Sequence, residues 1–277
     1  SFHVTGVQTC ALPISNEILI NHGQSIAELR SKIDEQLTPL SFLVGCKVSA
    51  NVNLKFAKET ASNIIGSIEG NDPVLKDEYI VVGAHFDHLG LGGSRSGSLD
   101  PDTLIIHNGA DDNASGTAGI LELSYKLMSN RHLLKRSVLF VCFDAEEKGL
   151  LGSKYYVENP VRNISNAAMM VNMDMIGRLN DNPVILGGVG SSGNFENIIA
   201  DARKNHTLDV ETNMSGMDFG RSDHASFYRE NIPVLFFFTG AHEDYHKPTD
   251  DWDKIDYQGE KERSEEHTSE LQSRETI

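Results

Sequence analysis

Tyr79–Ala84 reads YIVVGA, an uncharged and largely apolar run, and it delivers the chain directly into His85-Phe86-Asp87-His88. Such a run predicts a strand buried on both faces at the centre of a sheet. Ser137–Phe143 (SVLFVCF) predicts a second central strand, and Ile232–Thr239 (IPVLFFFT) a last buried one. Ala167–Asn172 and the shorter Pro183–Leu186 read as further strands, as do Asn63–Glu69 and the alternating Val48–Phe56. Between them lie helical patterns: Ala114–Met128, Gly149–Glu158, Asn194–Lys204 and Asp223–Arg229. Ser25–Gln36 places Ile26, Leu29 and Ile33 at helical spacing and is closed by Pro39. Asn71-Asp72-Pro73 marks a turn, and the Gly- and Ser-rich Leu91–Asp102 marks a loop. Alternating strands and helices predict an α/β fold, with a mostly parallel central sheet flanked by helices on both faces.

In such a sheet, ligands gather beyond the carboxyl ends of the strands. Several predicted strands end in residues that bind metals. YIVVGA delivers His85, SVLFVCF delivers Asp144, Glu146 and Glu147, AAMMVNM delivers Asp174, and IPVLFFFT leads toward the loop that holds His246. Asp111 and Asp112 stand before the helix at Ala114. Taken singly, each has an ordinary reading: a capped strand end, a helix N-cap, a solvated turn, a surface histidine. Together they supply two histidines, three carboxylates and one spare carboxylate, an inventory that suits a two-zinc hydrolase. Two cations about 3.5–4 Å apart need a shared anion, which the Asp111–Asp112 pair can supply; the residue types do not say which of the two. Adjacent Glu146 and Glu147 repel unless cations or protons offset them, so a division of labour is expected, one Glu on metal and one handling protons. Asp87 could accept the second N–H of His85 and fix its tautomer. His88, His224 and His242 lie near these motifs without an evident role. Ser222-Asp223-His224 are sequence neighbours with no nucleophile-elbow pattern, so a serine triad is not expected.

Across its 277 residues the chain carries a net charge of −16, which argues against nucleic acid or an anionic membrane as partner. No apolar run reaches the roughly 18–20 residues needed to span a bilayer. Cys10, Cys46 and Cys142 do not by their sequence support a disulfide framework, and Cys142 in its apolar run is expected as a buried thiol.

From about Thr60 to Lys254 the order of these motifs, AHFDH, NGADDNASG, FDAEEKGLLGS, NMDMIG and DYHKPTDDWDKI, resembles the co-catalytic di-zinc aminopeptidase family, the group of bacterial leucyl aminopeptidases, aminopeptidase Y and, further off, glutamate carboxypeptidase. The resemblance implies two Zn2+ ions per chain. His85 and Asp174 would hold one, Glu147 and His246 the other, and Asp112 would bridge. Glu146 would be general base and acid, and Asp87 would orient His85. It implies a peptide substrate whose free α-amino group meets the second zinc, and leans toward a secreted or periplasmic address. A carboxypeptidase or dipeptidase on the same scaffold is the alternative. It would want cations near the site, and Arg178 and Arg221 are at hand. A single-zinc glutaminyl cyclase-type enzyme and a non-catalytic receptor-like domain are more distant readings. The side-chain preference would be set by loops such as Met214–Arg221.

The ends read differently. Val4–Ile14 (VTGVQTCALPI) and Arg263–Ser273 (RSEEHTSELQS) resemble translations of a common short-read sequencing adapter. One choice of codons for the second, reverse-complemented and read one base out of frame, encodes the first. The expectation is therefore an adapter-derived flank at 1–14 and another at 263–277. Between them lie a remnant at 15–47 of the segment that follows a protease-associated domain, and a zinc peptidase domain at 48–262 that is truncated at its C-terminus. The flanks hold two Arg and four Glu, so the segment between them keeps −14 of the −16.

Overall fold

The structure, a computed structural model, describes residues 11–45, 47, 59–179, 183–204, 210–212, 220 and 222–259. The chain divides into two units, Ser1–Lys58 and Glu59–Ile277. In the first, α1 (Ala11–Ile20) is a helix for which no element was expected, and α2 (Ile26–Gln36) is the helix expected from its spacing. Ser25 caps α2: its hydroxyl accepts the Glu28 N–H at 3.2 Å, and the Glu28 carboxylate accepts the Ser25 N–H at 3.0 Å. This capping box satisfies two N–H groups that would otherwise lack partners. The expected strand Val48–Phe56 lies outside the described residues.

The second unit is built on a seven-stranded sheet: β1 (Ile64–Ile68), β2 (Tyr79–His85), β3 (Ser137–Phe143), β4 (Ala167–Met173), β5 (Val184–Gly187), β6 (Val210–Thr212) and β7 (Val234–Phe238). The spatial order is β1-β3-β2-β4-β7-β5-β6. The four central strands are mutually parallel, β1 is antiparallel to β3, and β5 is antiparallel to β7. Side chains alternate across the sheet, as the pleat requires. Ile80, Val82 and Ala84 of β2 belong to a cluster with Ile120, Leu123 and Leu127 of α3 (Gly116–Ser129) and Phe195 and Ile199 of α5 (Phe195–Arg203). Tyr79 and Val81 face the other way, into a cluster with Tyr156 of α4 (Leu151–Glu158) and Phe227 of α6 (His224–Arg229). Helices therefore cover both faces, and the expected α/β class holds. Each buried Leu or Ile contributes roughly 1.5–3 kcal/mol, against about 1 kcal/mol for a side-chain cap. That difference explains how α3 forms without a capping side chain.

Two details bear on function. First, α3 does not begin at Ala114. It follows a wide helical turn, Ala110–Ser115, in which Asp112 and Asn113 leave helical φ/ψ. The Asn113 amide donates to the Met173 carbonyl at 3.0 Å and accepts the Met175 and Gly116 N–H groups at 3.2 and 2.9 Å. The turn is thus stitched to the end of β4. Second, β2 connects to β3 on one side while β4 connects onward to the other, so the strand order reverses beside β2. That reversal opens a crevice at the carboxyl ends of the parallel strands. The register aligns those ends, with His85 opposite Phe143 and Met173 opposite Phe237. Among the described residues, no helix is long and apolar enough to cross a membrane.

Candidate active site

His85 ends β2, Glu146 and Glu147 follow β3, Asp174 follows β4, Asp112 lies in the wide turn before α3, and His246 lies in the loop after β7. The fold brings all six to one cleft or its wall. Asp112 is central: its Oδ1 is 3.3 Å from His85 Nε2 and its Oδ2 is 3.3 Å from His246 Nε2. His85 Nε2 is also 3.4 Å from Asp174 Oδ1, and His246 Nε2 is 3.3 Å from Glu147 Oε2. Two His–carboxylate pairs, the His85 site and the His246 site, therefore share one carboxylate.

The spacing suits a metal. Tetrahedral zinc with N and O ligands at about 2.0–2.2 Å sets its ligands about 3.4 Å apart. Asp112 Oδ2 and Asp174 Oδ1 are buried and make no hydrogen bond despite these close approaches, so lone pairs converge where donors do not. His85, Asp112 and Asp174 are all buried and offer ligand atoms within 4.8 Å of one another. Each imidazole is also set in the right tautomer. His85 Nδ1 meets the Asp87 carbonyl at 3.0 Å and His246 Nδ1 meets the Gly97 carbonyl at 3.0 Å. A carbonyl only accepts, so Nδ1 carries the proton and Nε2 keeps its lone pair for a cation. Gly97 adopts φ +103, a conformation that side chains other than glycine's strain to reach.

Asp87 acts differently from expectation. Its main-chain oxygen, not its carboxylate, holds His85; the carboxylate lies 3.7 Å from Nδ1. The carboxylate instead accepts the N–H groups of Glu146 and Glu147 at 2.9 and 3.2 Å, fixing the turn that carries both.

The two aspartates that sequence could not separate have distinct partners. Asp111 Oδ1 accepts the Gly177 N–H at 2.7 Å and its Oδ2 meets His242 Nε2 at 3.2 Å, so both its oxygens are committed. Asp112 is the one of the pair that faces His85 and His246. Behind them stands Asp250, fully buried, whose Oδ2 accepts the N–H groups of Asp111 and Asp112 at 2.9 and 3.0 Å. Arg178 offsets its charge at 2.8 Å and also pairs with Asp244 at 3.3 Å. Arg178 is therefore held in this network and not free to receive a substrate carboxylate. Arg221 and most of the Met214–Arg221 loop lie outside the described residues. Ser222, Asp223 and His224 are fully buried, and Ser222 Oγ accepts from the Asn172 amide at 2.9 Å, so this trio presents no exposed nucleophile. Cys142 is a half-buried free thiol.

The cleft, about 320 Å³, is lined by His85, Asp112, Glu146, Asp174 and His246. Met175, Phe236, Phe238, Ala241 and Tyr245 complete the lining. The Tyr245 ring stacks on His246 with centroids 3.9 Å apart.

Burial dominates the electrostatics. It pushes the Glu146 carboxyl up to about 9; His85 opposes this, while Asp174, Asp223 and Glu147 reinforce it. Asp223 rises to about 7, again chiefly through burial. Burial alone would lower the His85 pKa, but Asp174 and Asp112 more than offset it and hold the imidazole well above its usual value. A group whose folded pKa is raised contributes stability that is complete below its unfolded pKa, about 4 for a carboxyl and 6.5 for histidine. That stability is lost as pH rises through the folded value. All three groups carry this sign. Asp112, whose pKa is lowered against burial by His246 and His85, weakens the fold only at the acid end. The metal-free protein should therefore melt at a lower temperature at pH 9 than at pH 6. Bound metal should reverse the trend, because ligands must be deprotonated to bind it. Thermal melts with chelator and with zinc at both pH values check this; a chelated protein that gains stability toward pH 9 would contradict the environment assigned to Glu146.

The model of peptidase family M28 matches residues 63–267 of the chain. Leucine aminopeptidase 2 of Arthroderma otae is 30% identical over 201 residues, covering 70% of this chain and 37% of that protein. Leupeptin-inactivating enzyme 1 of Streptomyces exfoliatus is 32% identical over 196 residues, with 68% and 37% covered. The chain thus spans less than two fifths of the length of these relatives. Among solved structures, a zinc aminopeptidase from Bacillus subtilis superposes with a TM-score of 0.61 at 24% identity, over 76% of this chain and 49% of that one. The family match over most of the strand-and-loop unit, on a sheet whose carboxyl ends converge on His85, Asp112, Glu147, Asp174 and His246, places the chain in peptidase family M28.

Proposed function

We propose that the chain carries the active site of a zinc-dependent aminopeptidase, which removes the N-terminal residue of a peptide by hydrolysis. The observation that carries this reading is the Asp112 carboxylate, shared between His85–Asp174 on one oxygen and His246–Glu147 on the other. His85, Asp174 and Asp112 would hold one zinc; His246, Glu147 and Asp112 would hold the other. When bound, such ions supply Lewis acidity that polarises the scissile carbonyl and lowers the pKa of a water toward neutrality.

The remaining steps belong to the chain. Glu146 lines the cleft beside four of these ligands, while its neighbour Glu147 is turned to His246. Glu146 takes a proton from the attacking water as the new C–O bond forms, then returns it to the amine nitrogen as the C–N bond breaks. In the metal-free protein its high pKa would keep it protonated; nearby dications favour the carboxylate and draw that pKa down toward the working range. Asp87 holds the Glu146 and Glu147 backbone in place, and the Asp87 and Gly97 carbonyls keep both imidazoles aimed. The apolar wall of Met175, Phe236 and Phe238 suits an apolar side chain on the departing residue. Commitment of Arg178 to Asp244 and Asp250 weighs against a carboxypeptidase reading, which needs a free cation for the substrate carboxylate.

The test is zinc content per chain, together with cleavage of leucine p-nitroanilide and its N-acetyl analogue. Two zincs and cleavage of the free-amine substrate alone are expected. Two zincs with cleavage of only C-terminal residues from N-blocked peptides would replace this reading with a carboxypeptidase. About one zinc with ammonia release from N-terminal glutamine would replace it with a cyclase.

A further inference from the structure

His88 has no part in the site described so far, yet it lies against it. Its Nδ1 is 2.8 Å from Glu147 Oε1, while the other oxygen of that carboxylate, Oε2, is the one 3.3 Å from His246 Nε2. We propose that His88 is a positioning residue for the His246 site: it engages one oxygen of Glu147 so that the other alone is offered to metal. The proposal rests on the di-metal reading given above.

Geometry separates this role from ligation. His88, Asp112 and Glu147 could by proximity hold an ion among themselves. However, His88 Nδ1 is 4.0 Å from Asp112 Oδ2, whereas His246 Nε2 is 3.3 Å from both Asp112 Oδ2 and Glu147 Oε2. Only His246 matches the spacing of about 3.4 Å that a shared tetrahedral ion imposes. A 2.8 Å approach to a carboxylate oxygen is instead that of a charge-assisted hydrogen bond. The acceptor is a carboxylate, so Nδ1 carries the proton.

The ring is also caged. Its side chain is 9% exposed, and it packs edge-on to His246 with centroids 5.9 Å apart. The Gly109 backbone presses on it so closely that a Cβ there would come within 2.7 Å of the ring. Nε2 is buried with no hydrogen-bond partner, so Nδ1 is the nitrogen that anchors the side chain. Glu147 is thereby held at both ends, its N–H by Asp87 at 3.2 Å and one carboxylate oxygen by His88. Without His88, both oxygens of Glu147 would be free to rotate toward the ion or toward Glu146. A partner that fixes a ligand in this way is typically worth about 10–100-fold in metal affinity.

The experiment is metal titration of the full chain, parent against His88→Ala and His88→Asn, with chelator competition to obtain both dissociation constants. Thermal melts of the metal-free proteins accompany it. Asn is the informative replacement because its Nδ2 can reproduce the Nδ1 donor. His88→Ala should weaken one of the two sites 10- to 100-fold, leave the other unchanged, and be rescued to within a few-fold by His88→Asn. Unchanged affinity at both sites in His88→Ala overturns the proposal, as does equal weakening of both sites with a lower metal-free melting temperature, or failure of Asn to rescue. A parent that binds fewer than two metals would instead remove the di-metal reading, and this proposal with it.

Discussion

Glu146→Gln should keep two zinc ions per chain and lose about a thousandfold in kcat, or about 4 kcal/mol of barrier lowering. The amide retains the shape and hydrogen-bonding capacity of the side chain but cannot take up a proton from water and return it. Glu146 touches the cleft, yet the close His–carboxylate contacts are made by Asp112, Glu147 and Asp174, so metal content should not change. Glu147→Ala is the matched control. It removes Oε2 from His246 and should lower zinc content toward one per chain. Elemental analysis and steady-state kinetics on the two variants separate the roles. A Glu146→Gln enzyme with parental kcat would take Glu146 out of proton transfer, and one that has lost zinc would make it a ligand.

Asp250→Ala should be among the most damaging single changes to the fold. Asp250 is fully buried, accepts the N–H groups of Asp111 and Asp112, and balances Arg178. Removing it strands two buried donors and, among the described residues, leaves Arg178 with Asp244 as its remaining ion pair. Breaking a buried pair from one side costs about 3–5 kcal/mol. At about 2–4 °C per kcal/mol for a domain of this size, the melting temperature should fall by about 6–20 °C. The effect should also reach metal binding, because Asp112 loses the anchor that aims both its oxygens. Urea or thermal unfolding measures the first effect and zinc titration the second. A loss under 1 kcal/mol would mean that water replaces Asp250 at no cost. Replacing Arg178 with Met as well should recover part of the loss by removing the stranded charge, whereas the two amide donors stay unsatisfied in either background.

Apolar runs located the sheet because burial on two faces is a local property of sequence. YIVVGA, SVLFVCF and IPVLFFFT could hardly be anything else, and the structure has strands at Tyr79–His85, Ser137–Phe143 and Val234–Phe238. Parallel strands share one carboxyl rim, so which groups gather at their ends was readable too. His85, Asp112, Glu146, Glu147, Asp174 and His246 do converge. Shorter elements were less legible. The three-residue β6 carries too little periodicity to register, and the start of α3 was displaced by a wide turn whose cause, Asn113 reaching the end of β4, lies 60 residues away in sequence.

What sequence determined about this protein is therefore its fold class and the types of group gathered at the rim, because both follow from runs of neighbouring residues. Tertiary structure alone decided which oxygen of which carboxylate faces which nitrogen. It separated Asp111 from Asp112 through Gly177 and His242, moved the hold on His85 from the Asp87 carboxylate to its carbonyl, bound Arg178 to Asp250, and set His88 against Glu147. Many of these partners are far apart along the chain, as much as 131 residues for Asp111 and His242. Their pairing depends on strand register and on the angle at which each loop leaves the sheet. A hydrogen bond discriminates over a few tenths of an ångström, a precision that hydrophobic patterning does not encode.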